Sequence, residues 1–233
     1  MVAEISANIR QILENIAARA ARAGRDASEI KLLAVTKKVD DNRILEALAA
    51  GITILGENYV QEALRKQALL EKWEKPVEWH MIGHLQTRKA ALAVRFFDMI
   101  HSLDRMELAV ELNKRAQATG RTIKVLIEVN SGGEATKSGV SPEQAPDLAK
   151  SAASLKNLSL QGLMTIPPPF DEPERARPYF ARLRELKEEI AALRIPGVQM
   201  KELSMGMTAD YLIAIDEGAT IVRIGRGIFG ERK

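Results

Sequence analysis

Eight short, β-rich apolar runs, each followed by a longer stretch with helical spacing, constrain this chain more than any other feature. The runs are Ile30–Thr36, Ile52–Gly56, Val77–Ile82, Met99–Ser102, Ile123–Val129, Leu158–Met164, Glu202–Ser204 and Thr220–Ile224. Strands that alternate with helices call for a parallel sheet, because each helix carries the chain back to begin the next strand in the same direction. Eight parallel strands can close into a barrel, which removes the sheet edges an open arrangement would expose. An open α/β sheet with a topological switch point satisfies the same periodicity. The reading carried forward is an α/β fold, a single (β/α)8 TIM barrel over residues 1–233 with an extra N-terminal helix, and a length of 233 residues suits such a barrel.

The extra helix is read in Met1–Arg25, where Ile5, Ile9, Ile12, Leu13 and Ile16 fall at helical spacing. Its arginines raise the question of a transit peptide, and Glu4 and Glu14 argue against one. Two helix starts carry capping-box signals: Asp104 with Glu107, and Ser141 with Pro142 and Gln144. The triplet Pro167–Pro169 requires a stiff loop after the sixth strand.

Composition narrows the function classes. Cysteine is absent, which excludes disulfides, thiolate metal sites and cysteine nucleophiles, and three histidines leave little for a metal centre. The net charge is only +3, basic residues are interspersed with acids, and aromatics make up 4%, so nothing resembles a nucleic-acid footprint. No apolar run approaches the roughly 18 residues needed to span a bilayer, and a cytoplasmic protein with no membrane partner is the expectation.

Active sites of parallel barrels lie at the C-terminal ends of the strands, and those ends are polar here: Lys37 and Lys38, Glu57 and Asn58, His84, Asp104, Asn130, Thr165, Ser204, and Arg223 with Gly225 and Arg226. Lys37 follows Leu32–Val35, so its amine can emerge into a partly apolar mouth where desolvation makes it nucleophilic, as Schiff-base chemistry requires. It can equally be a solvent-facing lysine paired with Asp40 or Asp41, and alternation alone does not say whether Lys37 or Lys38 faces inward.

Residues 223–230 contain the spacing G-x-G-x-x-G, but no βαβ unit and no acidic residue follow as a dinucleotide fingerprint requires. What survives is a glycine turn after a barrel strand, where backbone N–H groups can approach a phosphate. Ser204, Gly206 and a helix beginning near Thr208 would complete such a cradle, unless these are two ordinary turns. Arg223 lies in an apolar strand and needs a partner, either a ligand's ring nitrogen or an acid such as Glu202. His80 and His84 have a metal-type spacing only on a helix; on a strand they read as hydrogen-bonded wall residues.

Taken together, LAVTK (33–37), GENYVQE (56–62), WHMIGHLQ (79–86), EATKSG (134–139), GLMTIP (162–167), LSMGM (203–207) with Asp210, and VRIGRGIFG (222–230) resemble the pyridoxal phosphate homeostasis proteins, which look like the N-terminal barrel of alanine racemase standing alone. The resemblance spans nearly the whole chain. It implies pyridoxal 5′-phosphate (PLP) as cofactor, Lys37 as its Schiff-base lysine, Ser204 with the backbone of Gly225 and Arg226 on the phosphate, Arg223 at the pyridine nitrogen, and Asn58 near the ring. Two departures are Lys38-Val39-Asp40 in place of Thr-Lys-Pro and Arg226-Gly227 in place of Thr-Ala, the former leaving the surroundings of the lysine different and the latter adding a possible charged phosphate contact.

The resemblance implies a PLP-binding protein of vitamin B6 homeostasis that stores, buffers or delivers the cofactor, with PLP-accepting apoenzymes as transient partners; a monomer is the expectation because a closed barrel leaves no edge strand and the sequence shows no obvious interface stripe. An arginine at the pyridine nitrogen keeps its proton and leaves the ring a weak electron sink. Alanine racemase uses a tyrosine from a second domain, whereas this sequence stops at Lys233 soon after its eighth strand. Whether it is an enzyme stays open at this point, the alternative being a PLP-dependent amino-acid racemase.

Overall fold

The computed structural model describes residues 2–70, 73–134 and 137–231. Met1, Lys233 and, within the EATKSG motif, Ala135 and Thr136 lie outside the described residues. The strands are β1 (Lys31–Val35), β2 (Ile54–Glu57), β3 (Glu78–Met81), β4 (Met99–Leu103), β5 (Ile123–Glu128), β6 (Leu158–Met164), β7 (Glu202–Ser204) and β8 (Ile221–Ile224). They pair in sequence order, every pair parallel, and β8 returns to β1, so the barrel closes. Closure decides against the open sheet. All eight expected strands form, each with its ends within a residue or two of the predicted bounds.

Helices α1 (Val2–Arg22), α2 (Asp41–Ala49), α3 (Val60–Leu69), α4 (Ala90–Phe96), α5 (Met106–Ala118), α6 (Ala145–Ala152), α7 (Arg177–Ala192), α8 (Tyr211–Asp216) and α9 (Arg226–Phe229) accompany the strands. Because side chains alternate along a strand, the apolar residues separate into two layers. Leu33, Val35, Ile54, Met99, Leu126, Met164 and Ile221 fill the barrel interior, with Ile82 against them. Their neighbours Leu32, Ala34, Leu55, Ile100, Val125, Ile127, Leu163 and Val222 point outward into the larger core beneath the helices.

Helix α1 buries Ile5, Ile9, Ile12, Ile16 and Ala20 along one stripe, each buried isoleucine being worth roughly 1.5–3 kcal/mol. Leu13, expected in that stripe, is 47% exposed: its neighbour Ile12 already occupies the inward position, and one residue turns the helix by about 100°. The helix is tied to the end of the chain through Asn8 Nδ2 donating to the Ile228 carbonyl at 3.1 Å, Asn15 Nδ2 to the Tyr211 hydroxyl at 3.1 Å, and Arg19 to Asp216.

Three local expectations need correction. Helix α5 begins at Met106 with Arg105 as its N-cap and no side-chain cap, because Asp104 is taken by His84 and Arg105. Helix α6 begins at Ala145, and of the expected box only Gln144 Oε1 accepting from the Ser141 N–H, at 3.2 Å, is made. Finally, α8 begins at Tyr211 rather than near Thr208, because Asp210 Oδ1 accepts from the Met207 N–H at 2.6 Å and closes residues 207–210 into a turn.

Candidate functional site

At the C-terminal mouth of the barrel lies a cavity of about 450 Å³, within the range usual for small-molecule sites. One side is Val35 and Lys37 after β1 with Arg223, Gly225 and Arg226 from β8; the other is Ile166–Phe170 after β6 and Met207–Asp210 after β7, with Lys137 from the loop after β5. The cavity settles which lysine faces inward. Leu33 and Val35 point into the barrel, so Lys37 continues that row into the mouth, half-buried, while Lys38 is exposed with φ of +57°.

The segment carrying Lys37 is clamped on both sides. Lys66 of α3, 1% exposed, donates from Nζ to the Thr36 carbonyl at 2.5 Å, to Glu57 Oε1 at 2.6 Å and to Glu62 Oε1 at 2.7 Å. Glu62 Oε1 also accepts from the Lys38 N–H at 2.6 Å, and the Thr36 hydroxyl donates to Glu57 Oε1 at 2.5 Å. Burial pushes the Glu57 carboxyl up, opposed by the hydrogen bonds from Lys66 and Thr36. Sequence inspection missed Lys66 because a lysine four residues after a glutamate on a helix ordinarily marks a solvated face.

Arg223 projects into the barrel on the same side as Ile221 and is 3% exposed. It does not pair with Glu202, which lies at the opposite end of the barrel and engages Lys31 and Thr220. Its guanidinium donates to Ser204 Oγ at 2.6 Å and to the Thr165 carbonyl at 2.9 Å. Burial lowers its pKa to about 10, with Asp210 and Glu128 opposing, so it stays cationic at neutral pH.

Beneath Arg223 a hydrogen-bonded chain runs through the barrel. His101 Nδ1 lies 3.0 Å from Ser204 Oγ, His101 Nε2 lies 3.0 Å from His80 Nδ1, and His80 Nε2 lies 3.3 Å from Glu78 Oε2. Arginine can only donate and a carboxylate can only accept, so Ser204 Oγ accepts from Arg223 at one end of this chain and Glu78 Oε2 accepts from the His80 ring at the other. Burial, reinforced by His80 and Arg223, holds the His101 pKa well below the ordinary histidine value, consistent with a neutral ring. His80 is the hydrogen-bonded wall residue expected of it, whereas His101, within the largely apolar strand β4, gave no sign of its role.

This chain changes the position of Ser204. It is fully buried beneath the cavity and holds Arg223, and it is not part of the cavity wall. The hydroxyl that does line the cavity is Thr208, whose Oγ1 accepts from the Gly227 N–H at 3.1 Å and thereby joins the turn after β7 to α9. Asn58, half-buried at the end of β2, lines a separate cavity with Tyr59 and His84 instead. The cavity therefore unites Lys37, Arg223, Gly225 and Arg226 and leaves Asn58 and Ser204 outside its wall.

The turn after β7 depends on Gly206, at φ of +88°. A Cβ there would sit 2.6 Å from Ala214 Cβ and 2.9 Å from Tyr211 Cα, and the Gly206 carbonyl accepts from the Arg223 N–H at 3.0 Å. Gly206→Ala should cost about 2–4 kcal/mol in a urea titration. An unchanged midpoint would show that the turn relaxes without strain.

Glu128 ends β5, 8% exposed, and its Oε2 has no hydrogen-bond partner among the described residues. Burial raises its pKa to about 7, with Asp104 adding to the shift and Arg223 opposing it. A carboxyl whose folded pKa lies above its unfolded value keeps its proton longest in the native state, so stability is lost as pH rises from about 4.5 through about 7. Glu128→Gln should therefore stabilise the protein by about 1–3 kcal/mol more at pH 8 than at pH 4. Equal effects at both pH values in urea titrations would show that Glu128 titrates normally.

Residues 7–233 match the family model described as alanine racemase, N-terminal domain. The pyridoxal phosphate homeostasis protein of Aquifex aeolicus is 47% identical over 225 residues, covering 97% of each chain. A solved structure from Bifidobacterium adolescentis superposes with a TM-score of 0.92 at 38% identity, covering 98% of this chain and 95% of the other. PipY of Synechococcus elongatus, solved with PLP bound, superposes with a TM-score of 0.80 at 35% identity, covering 92% of this chain and 100% of that one. With the barrel, its mouth and these similarities in agreement, the chain belongs to the alanine racemase N-terminal-domain family and, within it, to the pyridoxal phosphate homeostasis proteins.

Proposed function

We propose that this protein binds PLP in the cavity at the barrel mouth and serves PLP homeostasis by holding and releasing the cofactor, with Lys37 as its covalent anchor. The observation that carries the reading is the convergence of the Lys37 amine, the Arg223 guanidinium and the Gly225–Arg226 turn on one cavity of about 450 Å³. The naming of the relatives and the PLP held by PipY support it. The donor set suits the group: an amine, two guanidinium groups and the N–H groups that open α9 meet an anionic aldehyde, and Pro167–Pro169 offer a flat apolar wall to a ring.

When bound, PLP supplies an aldehyde that condenses reversibly with a primary amine. Lys37 provides that amine, and the clamp on Thr36 and Lys38 fixes where it stands. The N–H groups of Gly225 and Arg226, the Arg226 side chain and the Thr208 hydroxyl would hold the phosphate, and Arg223 would meet the ring nitrogen. Ser204, assigned to the phosphate by resemblance, acts instead by orienting Arg223. Asn58 lines a different cavity, so this reading gives it no contact with the ring. Arg223 donates a hydrogen bond without surrendering its proton, so this chain gives a pyridine ring little of the electron-withdrawing power that turnover requires.

The reading includes one barrel domain over residues 1–233, a monomer, a cytoplasmic setting and PLP-accepting apoenzymes as transient partners. A closed sheet leaves no edge for strand pairing, and no helix among the described residues is long and apolar enough to cross a membrane.

The test is the visible absorption spectrum of the purified protein with PLP, before and after borohydride, followed by peptide mapping. A yellow band trapped on Lys37, without racemisation of L-alanine, is the expected result. The absence of a band overturns the reading, and racemisation that vanishes in Lys37→Ala would make the protein an enzyme.

A further inference from the structure

Both ring nitrogens of His101, a fully buried residue, are engaged: Nδ1 lies 3.0 Å from Ser204 Oγ and Nε2 lies 3.0 Å from His80 Nδ1. His80, 1% exposed, is engaged at both nitrogens as well, since its Nε2 lies 3.3 Å from Glu78 Oε2. Neither ring can turn over without breaking two hydrogen bonds.

The buried members of this line come from opposite sides of the barrel, His80 on β3 and His101 on β4, Ser204 on β7 and Arg223 on β8. Strands β4 and β7 are not neighbours in the sheet, so the contact between His101 and Ser204 spans the interior. Apolar side chains such as Met99, Leu126 and Met164 fill the rest of that interior. Polar groups cost more to bury there than apolar groups of the same volume, so stability alone gives no reason for the line.

Its inner end bears on the site. The Arg223 guanidinium, which lines the cavity, donates to Ser204 Oγ at 2.6 Å and to the Thr165 carbonyl at 2.9 Å. A backbone carbonyl is fixed by the strand it ends, whereas a serine hydroxyl swings about one single bond and must be held. His101 Nδ1 holds it, and Oγ is fixed in the same place whichever of the two atoms donates. Burial above all, with His80, Arg223 and Lys31 adding to it, keeps the His101 pKa well below the ordinary histidine value. The support is therefore uncharged and does not repel Arg223.

We propose that His101, braced by His80 and Glu78, is a positioning residue that holds Ser204 and thereby aims the Arg223 guanidinium at the nitrogen of a ring bound in the cavity. The identity of that ring rests on the PLP-holding reading; the support of Arg223 does not.

The test titrates PLP-free protein with PLP and with its deaza analogue, in which C–H replaces the ring nitrogen. The wild-type protein should bind PLP about tenfold tighter than the analogue, the effect of one hydrogen bond from a charged donor. In His101→Gln, whose amide reaches toward His80 but not Ser204, the two ligands should bind about equally. His101→Asn, whose amide stands where Nδ1 stood, should restore the preference. Damage to packing alone would weaken both ligands alike and leave their ratio unchanged, which would overturn the proposal. Should His101→Gln fail to fold, Ser204→Ala removes the same support from a smaller side chain and must also abolish the preference. A second measurement needs no ligand: in PLP-free protein with isotope-labelled arginine, the guanidinium N–H signals of Arg223 should exchange with solvent faster in His101→Gln and not in His101→Asn. Equal exchange in all three proteins would overturn the proposal. Failure of the wild-type protein to bind either ligand would sink the PLP reading, and the exchange measurement would still decide whether His101 holds Arg223.

Discussion

Lys37→Ala is expected to abolish covalent retention of PLP: no yellow band after desalting and no residue labelled after borohydride. Lys38→Ala should retain both. The contrast follows from strand parity, since Lys37 continues the inward row of Leu33 and Val35 into the cavity while Lys38 is exposed and its N–H is held by Glu62. Lys137, whose Nζ meets Glu134 and the Pro167 carbonyl, also lines the cavity and is the rival amine. Labelling of Lys137 in the Lys37→Ala protein would therefore relocate the anchor. Stability should change by no more than about 1 kcal/mol, because Lys37 is half-buried and outside the core, so loss of the label cannot be ascribed to unfolding.

Lys66→Met is expected to give the largest loss of stability among these changes, about 3–5 kcal/mol at pH 8 by urea titration. The methionine keeps most of the aliphatic stem but leaves Glu57, wholly buried, and the Thr36 carbonyl without their cation. Glu57 must then be buried as an unpaired anion or take up a proton. Its pKa is already raised by burial, and losing Lys66 raises it further, so the deficit should shrink as pH falls toward 5 and the proton neutralises it. Adding Glu57→Gln should recover part of the loss, since an amide carries no charge to compensate. A loss below about 1 kcal/mol at pH 8 would mean that the buried pair contributes no more than a surface one. The same variant reports on the site: with the Thr36 carbonyl released, borohydride labelling of Lys37 should fall even where the protein remains folded.

The sequence by itself determined the order and position of the eight strands, because the β-rich apolar runs and the Gly and Pro breaks between them are local signals. It also brought the polar strand ends to one face, since parallel strands in a barrel share a direction. Local reading failed where a nearby residue had a better partner: Asp104 left its helix cap for His84 and Arg105, and Asp210 closed a turn that delays α8. What the tertiary structure alone decided depends on register and closure across the barrel. These set Lys37 inward and Lys38 outward, put Ser204 under the site as a support for Arg223, and sank Lys66 between two glutamates. They also strung His80 and His101 into a hydrogen-bonded chain and placed Glu128 in the wall of a cavity. Each of these depends on residues distant in sequence, and the energy of a buried charge or hydrogen bond is set by partners that only closure brings within about 3 Å.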